Sequence, residues 1–363
     1  MLVTRTQFES LFCDDVPLLD VRAEVEYGKG AFPFARNIPI LNDDERRQVG
    51  IRYKNSGPEA AARLGHELVS GRSKEHRLHA WLTFAEENPR ACLYCFRGGE
   101  RSRIAQQWLL DAGVDMPRIE GGYRSLRRFL IESLQSSVDT LQLFIVGGKT
   151  GTGKTELLQK VDASVDLEGF ANHRGSAFGK QLEEQPTQID FENRLAIAFL
   201  KKIRQGQTAL ALEDESLLIG KLNITQSLYD KMDGAQLVML EDTIDHRVGR
   251  IFNEYIVDQL VQYETTMASR ELGFERFSAY LQGSLAGIAK RLGGARYQEL
   301  HTAMQEALSM HRQGDPQNHR FWIRELLVNY YDPMYAYQLK RKEDRIIFTG
   351  NATQIQHWLA RHL

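Results

Sequence analysis

The run Gly148-Lys-Thr-Gly-Thr-Gly153-Lys154-Thr155 leaves few folds open to this chain. It follows the apolar stretch 141–146 directly, so the order is strand, phosphate-cradling loop, helix, and that context separates the motif from a plain glycine-rich turn. Backbone N–H groups around Gly148, Gly151 and Gly153 are expected to wrap a diphosphate, Lys154 to neutralise its outer charge, and Thr155 to reach a magnesium ion. Further candidate strands at 164–167, 208–212, 236–240 and 345–348 alternate with helical stretches, which predicts a parallel α/β sheet. The segment 255–317 reads as a largely helical insertion.

Three acids, Glu213-Asp214-Glu215, follow the strand at 208–212, where phosphate-loop proteins place a metal-side or catalytic carboxylate. Neighbouring residues on a strand point in opposite directions, so all three cannot act together; Asp214 and Glu215 are the candidates. Asp166-Leu-Glu-Gly-Phe-Ala-Asn-His173-Arg174-Gly-Ser leaves the preceding strand at the same, ligand-bearing end, making His173 and Arg174 candidate substrate contacts.

Before the phosphate loop lies a different anion trap, Cys95-Phe-Arg97-Gly98-Gly99-Glu-Arg101-Ser102. A strand at 91–94 runs straight into Cys95, and Ile104, Ala105, Trp108 and Leu109 then fall at helical spacing up to the stop at Gly113. Gly98 and Gly99 let loop N–H groups converge, Arg97 and Arg101 add positive charge, and the helix start adds its dipole; together these favour a thiolate. Cys92 is read instead as a buried strand residue, because it sits inside the strand rather than at a helix start. The polar stretch 136–139 marks the boundary, giving an α/β domain over 1–137 and a phosphate-loop α/β domain over 138–363.

Bulk properties narrow the function classes. A length of 363 residues fits two domains, and no apolar run is long enough to span a bilayer or to serve as a signal peptide. Three cysteines cannot build a disulfide framework, so a reducing, cytoplasmic location is expected and cysteine chemistry points to catalysis. A net charge of −2 argues against a strongly basic nucleic-acid binder but leaves room for local basic faces. One candidate face is the C-terminal stretch that interleaves His319, Trp322, Tyr330, Tyr335 and Tyr337 with Arg320, Arg324, Lys340 and Lys342. Those four cations are the candidate RNA contacts, while Ile323, Leu326, Leu327 and Tyr330 share a helical face and read as core.

Leu18-Leu-Asp-Val-Arg22, Ala35-Arg-Asn-Ile-Pro39, the Cys95 loop and Gly121-Gly-Tyr123 occur in the order found in rhodaneses, and the first domain resembles that family. One departure matters: five residues separate Cys95 from Arg101, one more than the usual sulfurtransferase loop and equal to cysteine-dependent phosphatases. A larger loop suits a tetrahedral, phosphate-sized donor.

Fused ahead of a phosphate loop, with Gln48-Val-Gly-Ile-Arg-Tyr-Lys54 and Glu213-Asp-Glu-Ser216, this domain gives a chain that resembles the tRNA 2-selenouridine synthase family along its whole length. The resemblance implies replacement of sulfur by selenium in wobble 2-thiouridine of tRNA. It further implies an S-geranylated intermediate, with geranyl diphosphate and selenophosphate as co-substrates; no tightly bound cofactor is expected. Within it, Cys95 would handle selenium and Gly148–Thr155 the diphosphate. From the residues alone, two other readings stay open: a cysteine-dependent phosphatase or sulfurtransferase coupled to a nucleotide-binding domain, and an RNA-binding regulator.

Overall fold

The computed structural model describes residues 1–363, which divide into two compact units, Met1–Asp139 with Thr187–Gly206 and Thr140–Pro186 with Gln207–Leu363. In the first unit, strands β1 (Leu2–Val3), β2 (Leu18–Asp20), β3 (Ala35–Asn37), β4 (Cys92–Tyr94) and β5 (Arg118–Ile119) form a parallel sheet ordered β1-β5-β4-β2-β3. Every residue of β2 and β4 is buried, as expected of central strands covered on both faces. Asp20 can sit there because Arg22, also buried, grips its carboxylate with Nε and Nη2 at 2.7–3.0 Å, and Tyr94 Oη donates to it at 2.8 Å. The guanidinium lies 3.9 Å from the centre of the Tyr123 ring, so β2, β4 and the turn after β5 are tied at one end of the sheet.

The segment 43–68 is helical with a break at Gly57, whose left-handed φ of 80° precedes Pro58 and separates two helical runs.

The helix Gln188–Arg204 belongs to the first unit, although a single boundary at 137/138 places it in the second. Its burial of Phe191, Leu195 and Phe199 is fixed by polar clamps. Ala31 N–H donates to Asp190 (2.7 Å), Asn193 Nδ2 donates to Ala31 O (2.7 Å), Arg127 pairs with Glu192, and Arg204 pairs with Asp14 (3.0 Å). The chain therefore leaves the second unit at Pro186 and re-enters it at Gln207.

In the second unit, β6 (Gln142–Gly147), β7 (Ser164–Val165) and β8 (Ala209–Glu213) are followed by a small antiparallel hairpin of β9 (Leu218–Ile219) and β10 (Leu222–Asn223). With β11 (Gln236–Leu240) and β12 (Ile346–Gly350), the main sheet is parallel and ordered β12-β11-β6-β8-β7. The strand that feeds the phosphate loop is thus central, flanked by β8 and β11, which puts the loop and the end of β8 side by side.

The helical region is larger than the expected 255–317: it opens with the helix Ile244–Phe252 and continues to the helix Asp332–Leu339. The extension follows from burial. His319 and Trp322, which read as members of a basic aromatic surface, lie in one core with Phe277, Leu281 and Leu308. Trp322 Nε1 donates to His319 Nδ1 at 2.9 Å, so the His319 proton sits on Nε2 and is shared with His311 Nδ1 at 3.2 Å.

Burial, helped by the charge of His311, pushes the His319 imidazole down to about 3. An unfolded histidine titrates near 6.5, so below that pH the unfolded chain binds the extra proton and stability is lost as the pH falls towards 3. At pH 5 the loss is about 2 kcal/mol. His319→Gln keeps an acceptor for Trp322 without titrating, so its urea midpoint should change less between pH 7 and pH 5 than that of the wild type.

Candidate functional site

In the first unit the sheet delivers Cys95 from the end of β4 into a loop closed by Gly99, the residue before the helix Glu100–Asp111. Tyr123 N–H donates to Cys95 O (2.9 Å), Arg124 N–H to Phe96 O (3.1 Å), and Arg118 Nη1 to Gly98 O, so the loop carbonyls are held from outside. Gly122 is required there: its φ is 60°, and a Cβ would lie 2.5 Å from Gly98 N and against Cys95 O. Cys95 is buried, with Sγ 3.2 Å from Ser102 Oγ, which itself donates to Gly99 O at 3.0 Å.

The two loop arginines behave differently. Arg97 is exposed, whereas Arg101 is gripped by Glu26 at 2.5 and 3.1 Å, and Arg46 reaches the same carboxylate at 3.0 Å. Burial alone would push the Glu26 carboxyl up, but Arg101 and Arg46 outweigh it and hold it below the ordinary range. Glu26 therefore competes with any anion for Arg101. Cys92 lies inside β4, where burial pushes its thiol up to about 11, the property of an inert strand residue.

In the second unit, a cavity of about 1140 Å³ opens over the phosphate loop. Gly148 has a φ of 154°, and a Cβ there would lie 2.7 Å from Leu240 O and 2.8 Å from Thr152 Oγ1. Lys154 Nζ donates to Gly148 O at 3.0 Å, and Gly148 N–H donates to Tyr335 Oη at 2.7 Å. Two arginines of the helix Ile244–Phe252 hold the loop by its carbonyls. Arg247 Nε donates to Thr150 O at 2.9 Å while its other nitrogens clasp Asp332 at 2.6 and 2.9 Å, and Arg250 Nη1 donates to Gly151 O at 2.5 Å.

Beside the loop, oxygens of Glu168, Glu213 and Glu215 lie within 4.8 Å of one another, and Thr155 Oγ1 is 3.4 Å from Glu168. Burial, with the charge of Glu168, pushes Glu213 up to about 7 and raises Glu215 well above the usual carboxylate range. Glu213 Oε1 is buried with no hydrogen-bond partner. An all-oxygen donor set with an orphaned carboxylate oxygen fits a hard divalent cation such as magnesium. Glu168, Glu213 and Glu215 would hold it, and it would neutralise charge on a bound diphosphate.

Residues 141–363 match the family described as tRNA 2-selenouridine synthase AAA domain. The tRNA 2-selenouridine synthase of Pseudomonas aeruginosa PAO1 is 53% identical over 97% of this chain and 96% of its own. The chain belongs to the tRNA 2-selenouridine synthase family. Relatives of the same name in Pseudomonas syringae pv. syringae B728a and Shewanella frigidimarina are 49% and 45% identical, covering 98% and 99% of this chain and 97% and 99% of their own.

Within this family member, the structure distributes the acids differently from the sequence expectation. Glu213 ends β8, and Glu215 follows in a tight turn whose N–H donates to Glu213 O at 2.9 Å, so both carboxyls meet Glu168, while Asp214, which also lines the cavity, pairs with Lys342 at 2.5 Å. Lys342 therefore lines the cavity instead of an outer basic face. Arg320 lays its guanidinium 4.3 Å from the Phe252 ring centre, Arg324 pairs with Asp245, and Lys340 is exposed.

His173 and Arg174 both line the cavity. His173 Nδ1 is buried without a partner, and burial lowers its pKa. Arg174 pairs with Glu254 at 2.8 Å and sits over Tyr255. Sequence reasoning passed over Arg247, Arg250, Glu168 and Asp332. The spacing of three between Arg247 and Arg250 puts them on one helical face, a usable hint, but nothing local says that this face meets the phosphate loop.

Proposed function

We propose that this chain replaces the sulfur of wobble-position 2-thiouridine in tRNA with selenium, through an S-geranylated intermediate made from geranyl diphosphate, with selenophosphate as selenium donor. The observation that carries it is the pairing, in a member of this family, of a buried thiol in an arginine-flanked loop with a wide cavity over a phosphate loop. We take the first unit to be rhodanese-like, and the protein to act in the cytoplasm.

The chemistry gives each loop a task. The thiocarbonyl sulfur attacks the first carbon of the geranyl group, the carbon–oxygen bond breaks, diphosphate departs and the base loses its N3 proton. Lys154 and the loop amides stabilise the departing diphosphate. Selenium then adds at C2 and the geranyl thiol leaves, a far better leaving group than sulfide; hydrolysis of any selenium–phosphorus bond returns phosphate. Cys95, with the loop of Arg97, Gly98, Gly99 and Arg101, receives or positions the selenium donor.

Mass analysis of tRNA nucleosides tests this. Geranyl diphosphate alone should give S-geranyl-2-thiouridine, and both co-substrates should give 2-selenouridine; unchanged nucleosides with tight tRNA binding would point to a regulator instead. The five-residue spacing from Cys95 to Arg101 favours one rival, a cysteine-dependent phosphatase. That rival requires aryl phosphate hydrolysis that disappears in Cys95→Ser.

A further inference from the structure

A small recess of about 30 Å³ opens off the phosphate-loop cavity. Thr150, Ser176, Ile251, Tyr255 and Tyr331 line both spaces, so the two adjoin. Deeper in, the wall is Phe178, Trp322, Ile323, Leu326 and Leu327, and the surface it presents is carbon. Of its polar atoms, Trp322 Nε1 is spent on His319 and Thr150 O on Arg247, while Tyr331 Oη is buried without a hydrogen-bond partner.

We propose that this recess seats the far end of the hydrocarbon tail of the diphosphate donor and sets its length. The proposal rests on the reading of the phosphate-loop cavity as a prenyl diphosphate site and names the part of that site that reads the chain. With the diphosphate at Lys154, the first carbons run along Ile251 and Tyr255 and the terminal branch enters between Trp322 and Leu327. A nucleobase placed there would find at most Tyr331 Oη for its several edge groups, whereas each methylene taken from water strengthens binding by about fourfold.

A second feature of the fold points to the same spot. Tyr255 belongs to the π-helical stretch Asn253–Asp258, and Leu327 and Tyr331 to another, Leu327–Tyr331. A π-bulge widens the helix and re-aims its side chains at some cost in hydrogen bonding, and such bulges collect at functional sites. Here both of them border the recess.

The test is direct binding to the full chain, without tRNA, of inorganic pyrophosphate and of the C5, C10 and C15 diphosphates (dimethylallyl, geranyl, farnesyl). Geranyl diphosphate should bind at least about 100-fold tighter than pyrophosphate. Leu327→Ala, which deepens the recess, should move the preference towards the C15 chain by roughly tenfold. Leu327→Phe, which fills it, should weaken the C10 chain by roughly tenfold and leave pyrophosphate within about twofold.

Thermal melts establish which variants are folded, and either one alone decides the matter. A length ranking unchanged by the substitution, or pyrophosphate weakened as much as geranyl diphosphate, overturns the recess. The functional reading is scored separately by the tRNA nucleosides. A wild type that geranylates tRNA with a ranking blind to Leu327 refutes the recess alone. A ranking that follows Leu327 in a chain that leaves tRNA unmodified supports the recess and refutes the functional reading.

Discussion

Cys95→Ser is expected to abolish 2-selenouridine formation, by about a thousandfold or more, while S-geranyl-2-thiouridine accumulates in the same tRNA. The substitution is nearly isosteric, so the loop should keep its shape: Tyr123 N–H to Cys95 O, Ser102 Oγ to Gly99 O and the Arg101–Glu26 pair do not involve the sulfur. What changes is chemistry. A serine hydroxyl is not ionised near neutral pH and cannot match a thiolate as a nucleophile or chalcogen carrier. Nucleoside mass analysis over time separates the two half-reactions. A Cys95→Ser protein that makes 2-selenouridine at the wild-type rate removes the cysteine loop from the mechanism.

The elements that the sequence made legible are those specified by contiguous residues. The phosphate loop needs only its own glycines, Lys154, Thr155 and the apolar run before it, and the strand at 236–240 lies where its apolar run predicts. The Cys95 turn is equally local, framed by buried β4 and a helix that starts at Glu100. What stayed hidden depends on partners far along the chain. The amphipathic pattern of Gln188–Arg204 says that one face is buried, but its clamps are Ala31, Arg127 and Asp14, and nothing local chooses between the two units.

The same limit governs the acids and the cations. The turn after β8 sets Glu215 beside Glu213, and the third carboxylate, Glu168, comes from the segment after β7. Lys342 reads as a surface cation because it belongs to a stretch that interleaves cations with aromatics. Its ion pair with Asp214, 128 residues away, draws it into the cavity. His319 and Trp322 are ambiguous in the sequence for a related reason. Aromatics among arginines resemble a stacking surface until their mutual hydrogen bond satisfies the polar atoms and allows both to be buried.

Lys154→Ala should produce the opposite lesion to Cys95→Ser: S-geranylation falls by roughly a hundred- to a thousandfold, and selenation of tRNA supplied already geranylated stays within about threefold of wild type. The Lys154 ammonium donates to Gly148 O at 3.0 Å and its charge also acts on the buried carboxyls of Glu213 and Glu215, so a thermal melt of the variant accompanies the rate measurement. A bound diphosphate draws the same ammonium onto its oxygens, where its charge counts most as the carbon–oxygen bond breaks. Lys154→Arg should not restore the rate, because a planar fork cannot replace a point charge inside a loop already held by Arg247 and Arg250. Geranylation measured with geranyl diphosphate alone, beside selenation measured on geranylated tRNA, gives two numbers for each variant. If Lys154→Ala lowered both equally, the phosphate loop would serve selenium delivery as well, and the division of labour between the two loops would be wrong.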